Sequence, residues 1–375
     1  MRQLYNNTDF NTPMLVIDVS ARALACAAHK AGIPVYALDM FNDIDTQECV
    51  VASRQVKANR WEFDLDDLLT EAESLCPKNT PLTFGSGFES HPELLEELAR
   101  GRRLYGNSPE LIKKIKDPAY FFGLLKKLGI PHPPTALTKP QSSTTPWLVK
   151  TIGGTGGYHI QPLDSETEYP SNVYFQAELH GTPHSILFLA NGHDSQVIGY
   201  SEFFDNRELL PLEDYCYHGA VSVFNMPFQA QLEEAIQAIV AETGLCGLCA
   251  MDIMLNANGF HVLEINPRPS ASFELHQIKG NLFYWHLQAC IGNLPHDLPH
   301  PRWSRAHAVV YAPYEICIPD NVLWQAWTAD HPPAGTLVTQ GKTVCSVFAQ
   351  GVHGEQLVKQ RQCTIEMQLN QWARN

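Results

Sequence analysis

The sequence predicts an α/β (α+β) protein: an open parallel α/β domain, then a domain of short strands and hairpins, then a small β-rich C-terminal region. Three observations lead there. A strand, a helix and a second strand follow one another within about 25 residues near the N-terminus, which reads as a βαβ unit and so a parallel sheet. A hard break stands at Gly129-Ile-Pro-His-Pro-Pro134, and beyond it the strands come as hairpins. The chain has 375 residues, 44% hydrophobic and 18% charged, enough to bury the cores of two or three domains and too apolar for a disordered or collagen-like chain.

In order, the pattern predicts a strand over 14–18, an Ala-rich helix over 20–30 stopped by Gly32, and a strand over 34–38. Further helices are expected over 64–74 and over 91–100, with Pro92 in the first turn, around a short strand at 82–84. A helical stretch over 108–128 is interrupted near Pro118. After the break come strands at 147–150, 158–162, 173–178, 185–190 and 197–203, and an amphipathic helix over 228–243. A tight pair of strands at 250–255 and 260–265, a helix over 275–290, and tail strands at 309–314, 336–338 and 344–348 complete the reading. The implied domains are 1–106, 107–295 with a lid at about 133–175, and 296–375.

The balance of 26 Lys and Arg against 40 Asp and Glu, a net charge of −14, argues against a nucleic-acid partner. No apolar run is long enough to span a bilayer, and the first residues lack a secretory pattern. The ten cysteines are scattered, mostly in apolar runs, so reduced thiols in a cytoplasmic enzyme are expected.

The segment Met251-Asp-Ile-Met-Leu-Asn-Ala-Asn-Gly-Phe-His-Val-Leu-Glu-Ile-Asn-Pro-Arg268 carries the chemistry. Asn256-Ala-Asn-Gly259 is a turn signal. Folding the hairpin about Asn258 sets Asp252 opposite Glu264, and alternation puts Asn266 and Arg268 on the same face. Two facing carboxylates repel unless a cation sits between them, and two carboxylates with an amide oxygen suit Mg²⁺. Arg268 is placed to clamp a phosphate or carboxylate. Lys150 ends an apolar strand just before Gly153, Gly154, Gly156 and Gly157, whose backbone N–H groups can approach an anion. No Gly-Lys-Ser/Thr follows, so this is not a Walker loop. The extended run Gln176-Ala-Glu-Leu179 can offer backbone groups to an adenine edge. Cys246-Gly-Leu-Cys249 lies in an apolar run and reads as buried structural thiols. No His-Glu-x-x-His, no Gly-x-Ser-x-Gly and no Gly-x-Gly-x-x-Gly after Asp18 is present.

The order of these parts resembles the ATP-grasp superfamily over roughly 105–295, with 1–106 similar to its usual preceding domain. The resemblance implies ATP and Mg²⁺ as cofactors, Mn²⁺ being the alternative ion. It implies that Lys150 and the 153–157 loop hold phosphates from a lid, that Gln176, Ala177, Glu178 and Leu179 line the adenine, and that His184 stands in the nucleotide site. Asp252, Glu264 and Asn266 would hold the metal, and Arg268 the phosphorylated intermediate. Asp117-Pro118 replaces an Asp-Lys pair common in the family, so either Lys116 or Lys114 substitutes or the contact is absent, Lys116 being the candidate taken with the nucleotide. The N-terminal segments from Asp18 and Ala37 are similar to a branch of predicted carboligases related to tyramine–glutamate ligase. That branch implies small-molecule acid and amine substrates, no nucleic acid or membrane partner, and a homodimer as one possible assembly. Ser20, Arg22, Asp39, Asp43, Asp45 and Glu89, near the carboxyl ends of strands, are the candidate substrate residues, with backbone capping the equal alternative. The 332–341 run resembles carboxylating relatives, which keeps a bicarbonate-using enzyme, and behind it a nucleotide-binding protein without catalysis, as alternatives.

Overall fold

The computed structural model describes residues 10, 12–59, 61–141, 145–204, 215–277, 281–299 and 301–372. The N-terminal sheet is parallel, in the order Ala52–Gln55, Val35–Asp39, Met14–Ile17, Leu82–Phe84, Leu104–Tyr105. Its first helix, Arg22–Ala31, ends at Gly32 with φ 76°, where the Gly32 N–H caps the carbonyls of Ala28 and His29. Val16, Val35 and Ala37 pack with that helix on one face, while Leu15, Ile17 and Leu38 pack with Leu68, Leu95 and Leu98 of two further helices on the other. The edge strand Ala52–Gln55 was not expected: its half-exposed Ala-Ser-Arg-Gln has no apolar alternation to reveal it.

The interruption at Pro118 is a junction between two helices, Pro109–Lys116 and Pro118–Leu128. Asp117 caps the second, its carboxylate accepting from the N–H groups of Ala119 and Tyr120, with Pro118 at the first helical turn. After the break, a four-stranded antiparallel sheet runs Ile160–Pro162, Trp147–Thr151, Val173–Ala177, Thr135–Ala136. The largest sheet has eight strands, ordered Gly259–Asn266, Cys246–Asn256, Thr182–Asn191, Ser195–Phe203, Gly219–Val223, Arg305–Tyr311, Thr343–Gln350, Thr328–Ala329. Thr182–Asn191 is buried on both faces. Ile186, Phe188 and Ala190 join the core under helix Gln229–Thr243, and Leu187 and Leu189 join the core under Arg22–Ala31 and Asn281–Ala289. One strand thereby ties the N-terminal domain to the hairpin that carries the acids.

Three expectations change. The single helix over 275–290 is instead Phe273–His276 and Asn281–Ala289, with 278–280 outside the described residues. His276 bonds Ser201, and Arg305 takes the Gln277 carbonyl, which anchors the end of the first piece. The tail strands are present, but the chain continues into a helix, Gly354–Trp372, whose Val358, Ile365 and Leu369 cover the sheet. Finally, the cysteines are not all reduced: Cys26 and Cys49 form a disulfide with Cα atoms 5.0 Å apart. The turn between two parallel strands brings them within bridging range, which spacing along the chain does not show. Cys246 and Cys249 are free thiols, Cys249 buried beside Asn107.

Asn107 closes the junction between the N-terminal domain and the hairpin. Its Nδ2 donates to the carbonyls of Cys246 and Pro267 (2.9 Å each), and its Oδ1 accepts from the Cys246 N–H at 2.9 Å. Asn107→Ala strands three backbone groups, and about 2–4 kcal/mol of stability is expected to be lost. Urea unfolding should show a lower midpoint at constant slope; an unchanged midpoint would contradict the assignment.

Candidate active site

The hairpin Cys246–Asn256/Gly259–Asn266 forms the floor of a cleft of about 1370 Å³. Asp252 pairs with Glu264 as expected, though the turn is tighter than a fold about Asn258. Asn256 pairs with Gly259 and Ile253 with Val262, so a regular hairpin would set Leu263 against Asp252. A bulge between Asp252 and Ile253 shifts the register and restores the Asp252–Glu264 pair. Met251, Ile253, Val262 and Ile265 go down into the core while Asp252, Glu264 and Asn266 face the cleft.

Lys116 reaches this group from the helix junction: its Nζ donates to Glu264 Oε2 and Asn266 Oδ1, each at 2.9 Å. Asn266 Nδ2 donates to Asp252 Oδ2 at 3.0 Å. Of the two lysines considered beside Asp117, the structure brings Lys116 in, because Pro118 ends the helix with Lys116 in its last turn. Burial works against ionisation of Glu264, but Lys116, His159 and Lys150 outweigh it and hold its carboxyl well below the usual range. Burial first and Glu264 second push Asp252 up. Burial lowers the buried Lys150, while Glu264 and Asp252 act to keep its charge.

The roof is the glycine loop. Gly153 and Gly157 have φ of 73° and 84°. A Cβ on Gly153 would lie 2.4 Å from the Glu89 carbonyl oxygen, and one on Gly157 1.8 Å from that of Tyr215, so only glycine fits. Gly156 and Gly157 line the cleft; Gly153 and Gly154 pack behind it, against Glu89–Ser90 and the His159 ring. Gln176, Ala177, Glu178 and Leu179 line the cleft at the end of strand Val173–Ala177. Gln176 is buried, and among the described residues its Nε2 has no partner. His184 does not reach the cleft: it lies on the opposite face of its strand from the cleft-lining Ser185, with Nδ1 3.0 Å from the Thr182 carbonyl and Nε2 3.5 Å from Glu202.

Among the substrate candidates, Glu89 holds Arg268, its Oε1 accepting from Nε at 2.6 Å while Oε2 accepts from the Gly87 and Phe88 N–H groups. Asp39 is spent on backbone, taking the N–H groups of Ala21, Phe41 and Asn42. Ser20 and Arg22 line the cleft, Ser20 Oγ lying 3.3 Å from Asp330 and Arg22 pairing with Asp330 and Glu274. Sequence reasoning did not find Asp330, Glu274, His307, Tyr215 and Tyr217, which also line the cleft. Asp330 meets Arg22 across 308 positions of chain, and nothing local signals that.

Do these residues fit a divalent ion? Among the described residues Asp252 Oδ1 is buried with no hydrogen-bond partner, beside a second carboxylate and an amide oxygen, which is a donor set for Mg²⁺ completed by phosphate oxygens. Among the described residues no three His, Cys, Asp or Glu side chains converge as a metal group, so the ion would depend on those further oxygens.

Residues 115–272 match the sequence model of the ATP-grasp domain. Over that stretch the chain is similar to an ATP-grasp domain. Lys116, Lys150, the hinge 176–179, the hairpin acids and Arg268 all lie inside it. It is 24% identical over 218 residues to the large chain of carbamoyl phosphate synthase from Rubrobacter xylanophilus, covering 52% of this chain and 20% of that protein. The chain thus spans about a fifth of the length of such relatives. An uncharacterized protein of Methanocaldococcus jannaschii is 19% identical over 360 residues, covering 91% of this chain and 88% of its own. Among solved structures, N5-carboxyaminoimidazole synthetase from Staphylococcus aureus superposes with a TM-score of 0.67 at 14% identity, covering 96% of this chain and 99% of its own. The biotin carboxylase domain dimer of Hydrogenobacter thermophilus 2-oxoglutarate carboxylase, solved with MgADP and bicarbonate, gives 0.66 at 12% identity, covering 89% and 85%. These likenesses of fold extend over nearly the whole chain.

Glu89→Gln leaves the buried Arg268 without its carboxylate. A stability loss of about 3 kcal/mol is expected by urea unfolding, partly recovered in Glu89→Gln/Arg268→Met. Equal stability of wild type and single variant would contradict the pairing.

Proposed function

We propose that the chain is an ATP-dependent ligase that joins a carboxylic acid to an amine. The γ-phosphoryl group of ATP passes to a carboxylate oxygen, ADP departs, and the amine nitrogen attacks the acyl carbon so that phosphate leaves and an amide forms. One observation carries the reading: Lys116, Lys150 and Arg268 gather around Asp252, Glu264 and Asn266 beneath a glycine loop, in a cleft with an unpartnered Gln176 Nε2 at the hinge. Asp252, Glu264 and Asn266 would hold Mg²⁺, or Mn²⁺ in its place, which offsets charge on the phosphate oxygens. Lys150 and the N–H groups of Gly156 and Gly157 hold the phosphates from above. Gln176 Nε2 donates to the adenine. Arg268, fixed by Glu89, faces the oxygens of the acyl phosphate. The loop's contacts with Glu89 and Tyr215 cover the reacting carbon and keep water away.

Glutamate and tyramine are the first pair to try, following the carboligase resemblance, and a role in cofactor biosynthesis of the methylofuran type and a homodimeric assembly belong to the same proposal. Among the described residues no helix is long and apolar enough to cross a membrane. The test is ADP release across paired acids and amines, with bicarbonate as a separate acid. One pair should stimulate release, and Asp252→Asn should slow it about 100-fold or more with stability kept. If no pair raises ADP release although ADP binds, the ligase reading fails; stimulation by bicarbonate alone replaces it with a carboxylase.

A further inference from the structure

Beyond the nucleotide region the cleft continues into a chamber between the carboxyl ends of the first two parallel strands and the C-terminal segment around Asp330. Arg22, Asp43, Glu274 and Asp330 line it. Arg22 is heavily engaged. Its Nε donates to Asp330 Oδ1 at 2.6 Å, its two terminal nitrogens grip the Glu274 carboxylate, and Asp45 Oδ2 lies 3.7 Å from Nε. One guanidinium therefore answers three carboxylates. Asp45 is also occupied by the N–H groups of Asp330 and His331, and Asp39 by three backbone N–H groups.

Asp43 is different. It is only 4% exposed, it lines the cleft, and its side chain does not cap the helix it precedes. Among the described residues no hydrogen bond or ion pair meets its carboxylate, and its charged neighbours are Asp330, Asp39, Asp45 and the already engaged Arg22. A buried carboxylate without a partner is costly in its charged form, so it either holds a proton or takes a counter-charge from outside the chain.

We propose that this chamber receives the ammonium group of a substrate, an amine or an amino acid, with Asp43 as its counter-charge. That the bound molecule is a substrate rests on the ligase reading; that an ammonium binds does not. A metal ion suits the chamber less well, since no three candidate ligands converge among the described residues and the oxygens of Asp39 and Asp45 already accept N–H bonds. The molecule attached to the ammonium meets aromatic surface: Phe41, Trp61 and Tyr158 line the same cleft, with Phe41–Trp61 and Trp61–Tyr158 ring centres 6.3 and 5.3 Å apart. A cation already rests on this surface, Lys342 Nζ lying 5.4 Å from the Trp61 ring centre. Tyr217, with its hydroxyl 3.3 Å from His307 Nδ1, feels both Glu274 and Asp252. It lines the cleft within reach of both the chamber and the hairpin acids, so the ammonium held by Asp43 is a charge that is recognised and kept while chemistry proceeds at the hairpin.

The proton balance follows. Burial, then Asp330, Asp39 and Asp45, push the Asp43 carboxyl up to about 8 against the pull of Arg22; the Cys345 thiol of strand Thr343–Gln350 is itself pushed up by burial and by Asp330, Asp43 and Asp45. Near neutrality Asp43 is largely protonated, so binding an ammonium ionises it and releases a proton. Affinity therefore rises with pH until the amine itself deprotonates near its own pKa, about 10.

The experiment is calorimetric titration of the full chain, loaded with ADP and Mg²⁺, with 2-phenylethylamine, L-phenylalanine and putrescine, each beside the analogue bearing hydroxyl in place of the amino group. At least one amine should bind at millimolar concentration or below, about tenfold or more tighter than its hydroxyl analogue, and more tightly at about pH 8.5 than at about pH 6.5. Asp43→Asn should weaken that amine about 10- to 100-fold and leave ADP binding unchanged. The proposal is overturned if amine and hydroxyl analogue bind alike, if no amine binds, or if Asp43→Asn binds as wild type does. The amine–hydroxyl comparison needs only the native chain, so it decides even if the variant fails to fold. Amine binding in a chain that does not bind ADP removes the ligase reading and leaves the ammonium site standing.

Discussion

Two like charges opposed across a half-buried hairpin are the constraint on which the rest depends. Asp252 and Glu264 face each other across paired strands, and water does not reach Asp252 Oδ1. An apolar protein surface would not hold such a pair without cations nearby. The chain brings three: Lys116 from a helix end and Lys150 from the four-stranded sheet, both distant in sequence, and Arg268 from just past the hairpin. Each is itself constrained. Pro118 stops the helix at the residue that places Lys116, and Glu89 fixes Arg268. The electrostatics of the hairpin and the path of the chain therefore explain one another.

The parts of the site carried by a single local segment were legible in the sequence. Alternation in the 251–268 segment set two acids and an amide on one face, and the glycines after Lys150 announced a backbone that only glycine can follow. Even there the register came out for an incomplete reason. The turn is tighter than alternation about Asn258 supposes, and a bulge supplies the missing step. A bulge has no reliable mark in one sequence, because it depends on which pairing the neighbouring strand imposes. For His184 the resemblance implied a place in the nucleotide site, whereas strand parity turns its side chain away from the cleft.

What was not legible is what requires closure of the chain on itself. Asp330 stands in the left-handed region at φ 59° and meets Arg22 far away in sequence. The terminal helix Gly354–Trp372 has a polar outer face and a thin apolar stripe, so its pattern is weak until the sheet it covers is known. The disulfide between Cys26 and Cys49 depends on a turn geometry that spacing does not report. The strand-rich tail was read as an appendage, yet Arg305–Tyr311 and Thr343–Gln350 continue the large sheet. Through them the C-terminal segment supplies one wall of the cleft.

The most direct measurement is the affinity of ADP with and without Mg²⁺, by calorimetry, for the wild type and for Glu264→Gln. The account predicts that Mg²⁺ tightens ADP binding in the wild type by about tenfold or more, and that this metal dependence largely vanishes in the variant while metal-free binding remains. ADP binding that ignores Mg²⁺ in the wild type, or a metal dependence that survives in Glu264→Gln, would contradict it.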